Sequence, residues 1–195
     1  MKRYILAITG SSGSLLGLRL LEELAKNSEV HLIVSEAALL VIGSETSIEL
    51  TKKPDDWIIA KFPPNRVFLY KDSNIGAPLA SGSFVTNGMF IVPCSMKTLS
   101  AVANGYASNL IERAADVTIK EGRKLLICPR EMPFSAIHLE NMLKLARLGV
   151  ITAPPVPAFY NKPQTIDDMI NFLIGKILDC FGIENRLYKR WRGDD

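Results

Sequence analysis

The segment Cys128-Pro129-Arg130-Glu131-Met132-Pro133-Phe134 sets a guanidinium beside a carboxylate directly after an apolar run. Arginine grips phosphate through a planar fork of donors, and glutamate transfers protons where its surroundings raise its pKa. The flanking prolines stiffen the turn that carries both. Near the N-terminus, Thr9-Gly10-Ser11-Ser12-Gly13-Ser14-Leu15-Leu16-Gly17 joins an apolar run to a helical pattern. Glycines there let backbone N–H groups come close to an anion, the helix start adds positive potential, and the serines add donors. The same residues also suit a tight turn with a serine cap. The segment is not G-x-G-x-x-G, and it lacks the lysine of a P-loop. Glu36, after Ser35 at the end of the second apolar run, keeps a nicotinamide cofactor open, whereas the Tyr-x-x-x-Lys dyad of short-chain dehydrogenases is absent.

Further segments add anion-binding groups. Pro93-Cys94-Ser95-Met96-Lys97-Thr98-Leu99-Ser100 again follows an apolar run and opens a helix; Ser95, Thr98 and the backbone amides suit a phosphate or a ring edge, or simply cap the helix. Upstream, Ala80-Ser81-Gly82-Ser83 is a small-residue turn able to approach a flat ligand. Arg113, Asp116 and Lys120 recur at i, i+3 and i+7. They form either a surface ion ladder worth about 0.3 kcal/mol per pair or a face from which Lys120 reaches an anion. Ala153-Pro154-Pro155-Val156-Pro157-Ala158-Phe159-Tyr160-Asn161-Lys162-Pro163 is a stiff, non-helical loop that holds the Tyr160 hydroxyl in place or wraps a neighbour, and Lys176 lies on the helix beyond it. Cys94, Cys128 and Cys180 lie far apart without C-x-x-C, and His31 and His138 show no ligand spacing, so small buried thiols are expected, with no disulfide framework and no metal site.

These groups need a scaffold that brings strand ends together. Tyr4–Ile8, Val30–Val34, Val67–Tyr70, Met89–Pro93, Leu125–Cys128 and Val150–Ala153 read as strands. Helical patterns alternate with them: Leu15–Ala25, with Leu15, Leu18, Leu21 and Leu24 on one face, then Asn109–Glu121 and Ile137–Leu148. A last helix is capped by Thr165, carries the stripe Ile166, Met169, Ile170, Leu173, Ile174, Ile177, Leu178 and Phe181, and stops at Gly182. The alternation predicts an α/β fold with three layers and a doubly wound, mostly parallel sheet, Rossmann/flavodoxin-like, with ligands at the carboxyl ends of its strands. Residues 44–64 are less regular and read as a helical excursion, and Tyr188–Asp195 as a tail that is mobile unless docked.

The length, 195 residues, suits a single domain over 1–195, and no repeat or linker divides it. With 48% hydrophobic residues, 22% charged and a net charge of +3, the chain is neither disordered nor a nucleic-acid coat. No apolar run reaches the ~18 residues of a membrane span, and the run after Lys2-Arg3 is too short for a signal peptide, so a cytoplasmic protein is expected. A mean hydropathy of +0.16 points to a large core or to apolar surface covered by partners.

Taken in order, Thr9-Gly10-Ser11-Ser12-Gly13, Ser44-Glu45-Thr46, Ser81-Gly82-Ser83, Pro93 to Ser100, Glu112-Arg113-Ala114-Ala115-Asp116, Pro129-Arg130-Glu131-Met132-Pro133 and Pro154-Pro155-Val156-Pro157-Ala158-Phe159-Tyr160 resemble the UbiX/Pad-type flavin prenyltransferases of the flavoprotein superfamily across nearly the whole chain. The resemblance implies transfer of a dimethylallyl group from dimethylallyl phosphate to N5 and C6 of reduced FMN, without a metal. The prenylated FMN serves a UbiD-type decarboxylase, in ubiquinone-making bacteria for a polyprenyl-hydroxybenzoate. It implies FMN contacts at Gly10, Ser11, Ser12, Ser35, Ser95, Met96, Lys97, Thr98 and Arg130, and prenyl-phosphate contacts at Lys120, Tyr160 and Lys176. Glu131 handles a proton, Ser12 and Glu45 form a relay near flavin N5, and Lys120 joins these three as catalytic. A homo-oligomer, usually a dodecamer, is implied, with Tyr160 and Lys176 reaching a neighbour's site and the tail from about residue 184 docking there. Two departures stand out: Lys176 replaces a frequent arginine, and Ile75 lies near a position that is tryptophan in some members. The alternatives are an FMN-dependent decarboxylase of the cysteine type, which carries Pro-Ala-Ser-Ala-Asn-Thr and a catalytic histidine where this chain has Pro93–Thr98 without asparagine, and a non-catalytic flavin carrier.

Overall fold

Strands Lys2–Ile8 (β1), Ser28–Val34 (β2), Val67–Lys71 (β3), Met89–Cys94 (β4), Leu125–Pro129 (β5) and Ile151–Thr152 (β6) form one sheet in the order β3-β2-β1-β4-β5-β6. This is a computed structural model, which describes residues 1–46, 57 and 60–191. Every strand pairing is parallel, where the sequence suggested a mostly parallel sheet. β1, β2, β4 and β5 are almost wholly buried, as their continuous apolar runs require of strands covered on both faces. β3 is a half-buried edge.

Between the strands lie Ser14–Asn27 (α1), Glu36–Glu45 (α2), Met96–Ala103 (α3), Leu110–Lys120 (α4) and Ala136–Arg147 (α5), and Ile166–Cys180 (α6) follows β6. Of the expected face of α1, Leu18, Leu21 and Leu24 are buried and Leu15 is not. The buried face is wider than that spacing, adding Leu16, Gly17 and Leu20. At Gly17 a Cβ would stand 2.4 Å from the Val92 carbonyl oxygen and 2.9 Å from Ile8, so the helix backbone lies hard against β1 and β4. α2 was not foreseen. Its residues, EAALLVIGSE, show little periodicity, and only Ser35, whose Oγ accepts from the Ala38 N–H, marks its start. Glu36 therefore opens a helix rather than ending a strand. The excursion expected over residues 44–64 falls largely outside the described residues.

The chain divides into two compact units, Met1–Pro154 and the remainder from Pro155. In the first, Ile5, Ile33, Ile91 and Ile127 of the sheet pack with Leu99, Leu110, Ile111 and Leu145 of the helices, all of them buried. In the second, Thr165 and Asp168 cap α6 reciprocally and Gly182 ends it at φ +64°, both as expected. Ile166 is exposed, and the apolar stripe becomes buried only from Ile174 onward. The tail is pinned within its unit: the Tyr188 hydroxyl donates to Asp179 Oδ2 at 2.6 Å, and Arg190 forks onto both Asp179 oxygens. Gly175 makes room for the Tyr188 ring, where a Cβ would sit 2.4 Å from it.

Candidate active site

From β1 the chain runs outward to β2 and β3, then returns to lay β4 on the other side of β1. Connections diverge at the carboxyl ends of β1 and β4, where doubly wound sheets bind their ligands. Buried Thr9 stitches the two ends. Its Oγ1 donates to the Pro93 carbonyl at 2.8 Å and accepts from the Ser95 N–H at 2.8 Å. Arg130 N–H reaches the Cys94 carbonyl at 3.2 Å, and Ser35 N–H the Ile8 carbonyl at 3.1 Å. Backbone bonds thus draw the Thr9–Gly13, Ser35, Ser95–Thr98 and Arg130–Glu131 turns to one edge of the sheet.

Each turn presents its side chains differently. Ser11 Oγ is buried without a hydrogen-bond partner. Gly10 lies so close to α2 that a Cβ would meet Ala37 Cβ at 2.4 Å. Ser35 and Ser95 are caps, the latter accepting from the Thr98 N–H at 3.3 Å and contacting Thr98 Oγ1 at 3.1 Å. Arg130 and Glu131 are exposed, and Glu131 Oε1 accepts from the Met132 N–H at 3.0 Å.

The start of α1 is where an anion was expected, and the chain's own Glu45 fills it. Gly13 and Ser14 N–H donate to its carboxylate at 2.9 and 2.8 Å, and Ser14 Oγ at 2.7 Å. Gly13, at φ +99°, has no side chain to cap α1, so α2 supplies the cap from its last residue. Burial pushes the Glu45 carboxyl up, but bonds from Ser14, Ser12 and the two amides outweigh it and hold the group below its ordinary range.

Lys97 is exposed, 3.9 Å from Glu112 Oε1. Glu112 is buried, and its Oε2 accepts from the Ser108 N–H and Oγ at 2.8 and 2.7 Å. Of the expected ladder only Arg113–Asp116 closes, at 2.7 Å, and Arg113 Nε also holds the Ala80 carbonyl. Lys120 pairs instead with Glu121. In the second unit, Tyr160 and Lys176 are exposed, the Tyr160 ring standing edge-on to Phe172 and Trp191. Ile75 is exposed.

Neither histidine faces this edge. His31 is buried on β2 between Glu29 and Tyr70, and His138 belongs to the capping box of α5. Cys94 and Cys128 are buried, with burial pushing the Cys128 thiol up to about 12, whereas Cys180 is only half-buried. Among the described residues no cluster of His, Cys, Asp and Glu could hold a metal ion, and no helix is long and apolar enough to cross a membrane. Thr9 and Ser14 are the residues that motif reading passed over, although both lie inside the first motif.

Residues 1–178 match the Flavoprotein family. The chain is 50% identical over 192 residues to the flavin prenyltransferase UbiX of Methanocaldococcus jannaschii, covering 97% of this chain and 98% of that one. The crystal structure of AnUbiX (PadA1) in complex with FMN and dimethylallyl pyrophosphate superposes with a TM-score of 0.91 at 39% identity, covering 100% of this chain and 99% of the other. A dodecameric FMN-dependent UbiX-like decarboxylase from Escherichia coli O157:H7 gives a TM-score of 0.89 at 44% identity, covering 98% of this chain and 100% of the other. With that likeness running from end to end and the same turns gathered at one sheet edge, the chain belongs to the Flavoprotein family, among its UbiX-type flavin prenyltransferases.

Proposed function

We propose that this chain joins the dimethylallyl group of dimethylallyl phosphate to reduced FMN, making prenylated FMN for a UbiD-type decarboxylase. The observation that carries the reading is the set of turns gathered at the β1/β4 switch point, with a buried, unpartnered Ser11 hydroxyl and an exposed Arg130–Glu131 pair, in a chain half identical to a flavin prenyltransferase. The residues fit FMN: Ser11 Oγ lacks a partner, and the Gly10 backbone forms a close-packed floor. Because Glu45 occupies the start of α1, the anionic end of FMN falls to the serines, Lys97 and the Arg130 guanidinium rather than to that helix end.

Reduced FMN supplies the nucleophilic ring positions. The protein supplies charge and proton control. Lys120, Arg130, Tyr160 and Lys176 neutralise the phosphate as it leaves, the last two acting in the assembled oligomer. Lys176 does so as a point charge, without the fork an arginine would offer. Glu131 Oε1 is held by the Met132 N–H, and Oε2 is the oxygen that takes a proton. Ser12 and Glu45 hold a further proton path. Exposed Met132, Ile137, Leu139 and Leu143, on and before α5, are covered by neighbouring copies, and the protein works in the cytoplasm.

Anaerobic incubation with reduced FMN and dimethylallyl phosphate tests the reading. A flavin mass gain of one dimethylallyl unit is expected, together with activation of an apo-decarboxylase of the UbiD type. Bound FMN without any adduct would instead make the chain a flavin carrier.

A further inference from the structure

The turn Ala80–Phe84 is clamped by cations. Arg113 Nε donates to the Ala80 carbonyl at 3.2 Å, and Arg123 donates to the Gly82 carbonyl at 2.6 Å and the Phe84 carbonyl at 2.9 Å. Arg113 also pairs with Asp116, and Arg123 Nη2 stands 3.9 Å from Glu121 Oε2, so both guanidiniums are shared between the turn's backbone and a carboxylate. Lys120, at the last turn of α4, contacts the neighbouring Glu121 carboxylate. The side chains of Lys120 and Glu121 are 48% and 33% exposed, so water reaches both and the pair can open. Gly82 is the seat of this pair. A Cβ there would stand 2.2 Å from Glu121 Oε1 and 3.0 Å from Lys120 Nζ. Ser81 and Ser83 hydroxyls, 2.8 Å apart, flank it.

We propose that Glu121 is the resident counter-ion of Lys120, which the prenyl phosphate displaces on binding. The inference rests on the assignment of Lys120 to that phosphate. Binding is then an exchange of anions at one ammonium. A phosphate dianion wins it because it carries more charge and more acceptor oxygens than a single carboxylate, whereas a monoanion gains little. The Lys120 contact also holds the Glu121 carboxyl below its ordinary range, so Glu121 remains charged and competing at neutral pH. Its role is that of a positioning residue that sets selectivity for a doubly charged donor.

Removing the competitor should tighten the phosphate. In Glu121→Gln, the KM for dimethylallyl phosphate should fall by about threefold, in the range of a lost exposed ion pair, with kcat unchanged. Inorganic phosphate, titrated by calorimetry into protein loaded with FMN, should bind more tightly by the same factor. Glu121→Ala, at an exposed helix end, must act in the same direction. Lys120→Ala separates the two levels of the argument. If that variant leaves phosphate binding and KM unchanged, the Lys120 assignment fails and this inference with it. If Lys120→Ala weakens phosphate but both Glu121 variants leave it unchanged or weaken it too, the Lys120 assignment stands and the exchange is overturned.

Discussion

Glu45 shows how one side chain serves two demands. It caps α1 across the chain, because Gly13 cannot, and it stands beside Ser12 and Ser14 at the same edge as the flavin turns. A charged cap at a helix N-terminus is worth about 1 kcal/mol. Glu45→Gln should lower Tm by about 2–4 °C, since the new amide turns donors toward N–H groups. The folded pKa of Glu45 lies below the unfolded value, so its contribution is present above about pH 4.5 and is lost as pH falls through the folded value. Wild type and variant should therefore converge in denaturant midpoint at low pH; a constant gap would show that the charge is not what caps the helix. Glu131 differs in kind, exposed and, among the described residues, held by one N–H. Glu131→Gln should retain FMN, seen in the bound-flavin spectrum, while adduct formation falls by about 10²-fold or more, the loss of a general acid–base group. An unchanged rate would remove Glu131 from the proton path.

At the scale of elements, a single threonine ties the two halves of the doubly wound sheet. Thr9 is buried, and its hydroxyl both donates to the end of β4 and accepts from the turn beyond it. Thr9→Val keeps the shape but leaves the Ser95 N–H without its acceptor and the Pro93 carbonyl with only the backbone N–H of residue 9, at 3.3 Å, a cost of about 2 kcal/mol and a Tm lower by about 4–8 °C. FMN should also bind more weakly, because the Thr9–Gly13 and Ser95–Thr98 turns separate; thermal melts and flavin fluorescence titration check both. The strand runs and the caps at Ser95 and Thr165 were legible in the sequence because apolar continuity and capping are local signals. α2 was not, since a helix of mostly apolar and small residues has no polar face to mark its period. The site motifs were readable as turns, yet Glu45 reaching back to Gly13 spans 32 residues, and no local pattern reports a cap supplied from another helix. The Lys120–Glu121 pairing was hidden likewise, because spacing favoured Asp116 while the seat at Gly82 decides the partner.

For the whole molecule, composition excluded classes of function but said nothing of how the sheet responds to pH. That response is set on its β3 side, where β1, β2 and β3 share one half-buried polar chain around the buried His31. Arg3 Nε meets Glu29 Oε1 at 2.5 Å, and His31 Nε2 meets the same oxygen at 2.6 Å. A carboxylate only accepts, so Nε2 carries the proton and Nδ1 accepts from the Tyr70 hydroxyl at 2.9 Å. Phe68 stacks on the imidazole and Phe84 meets it edge-on, at 5.2 and 4.8 Å between centroids. Burial depresses the His31 pKa below 6.5, and the pull of Glu29 only partly offsets it. The unfolded chain therefore takes up the proton first. Stability is highest above about pH 6.5 and declines as pH falls through the lower folded value. Glu29, held below 4.5 chiefly by its bond from Arg3, adds a second decline at still lower pH. Urea midpoints measured from pH 8 to pH 5 should fall with acidity for the wild type. For His31→Gln, which keeps a donor but cannot titrate, the midpoint should be lower at pH 8 and nearly flat down to pH 5. Equal slopes in the two proteins would place the acid sensitivity elsewhere than in this chain of side chains.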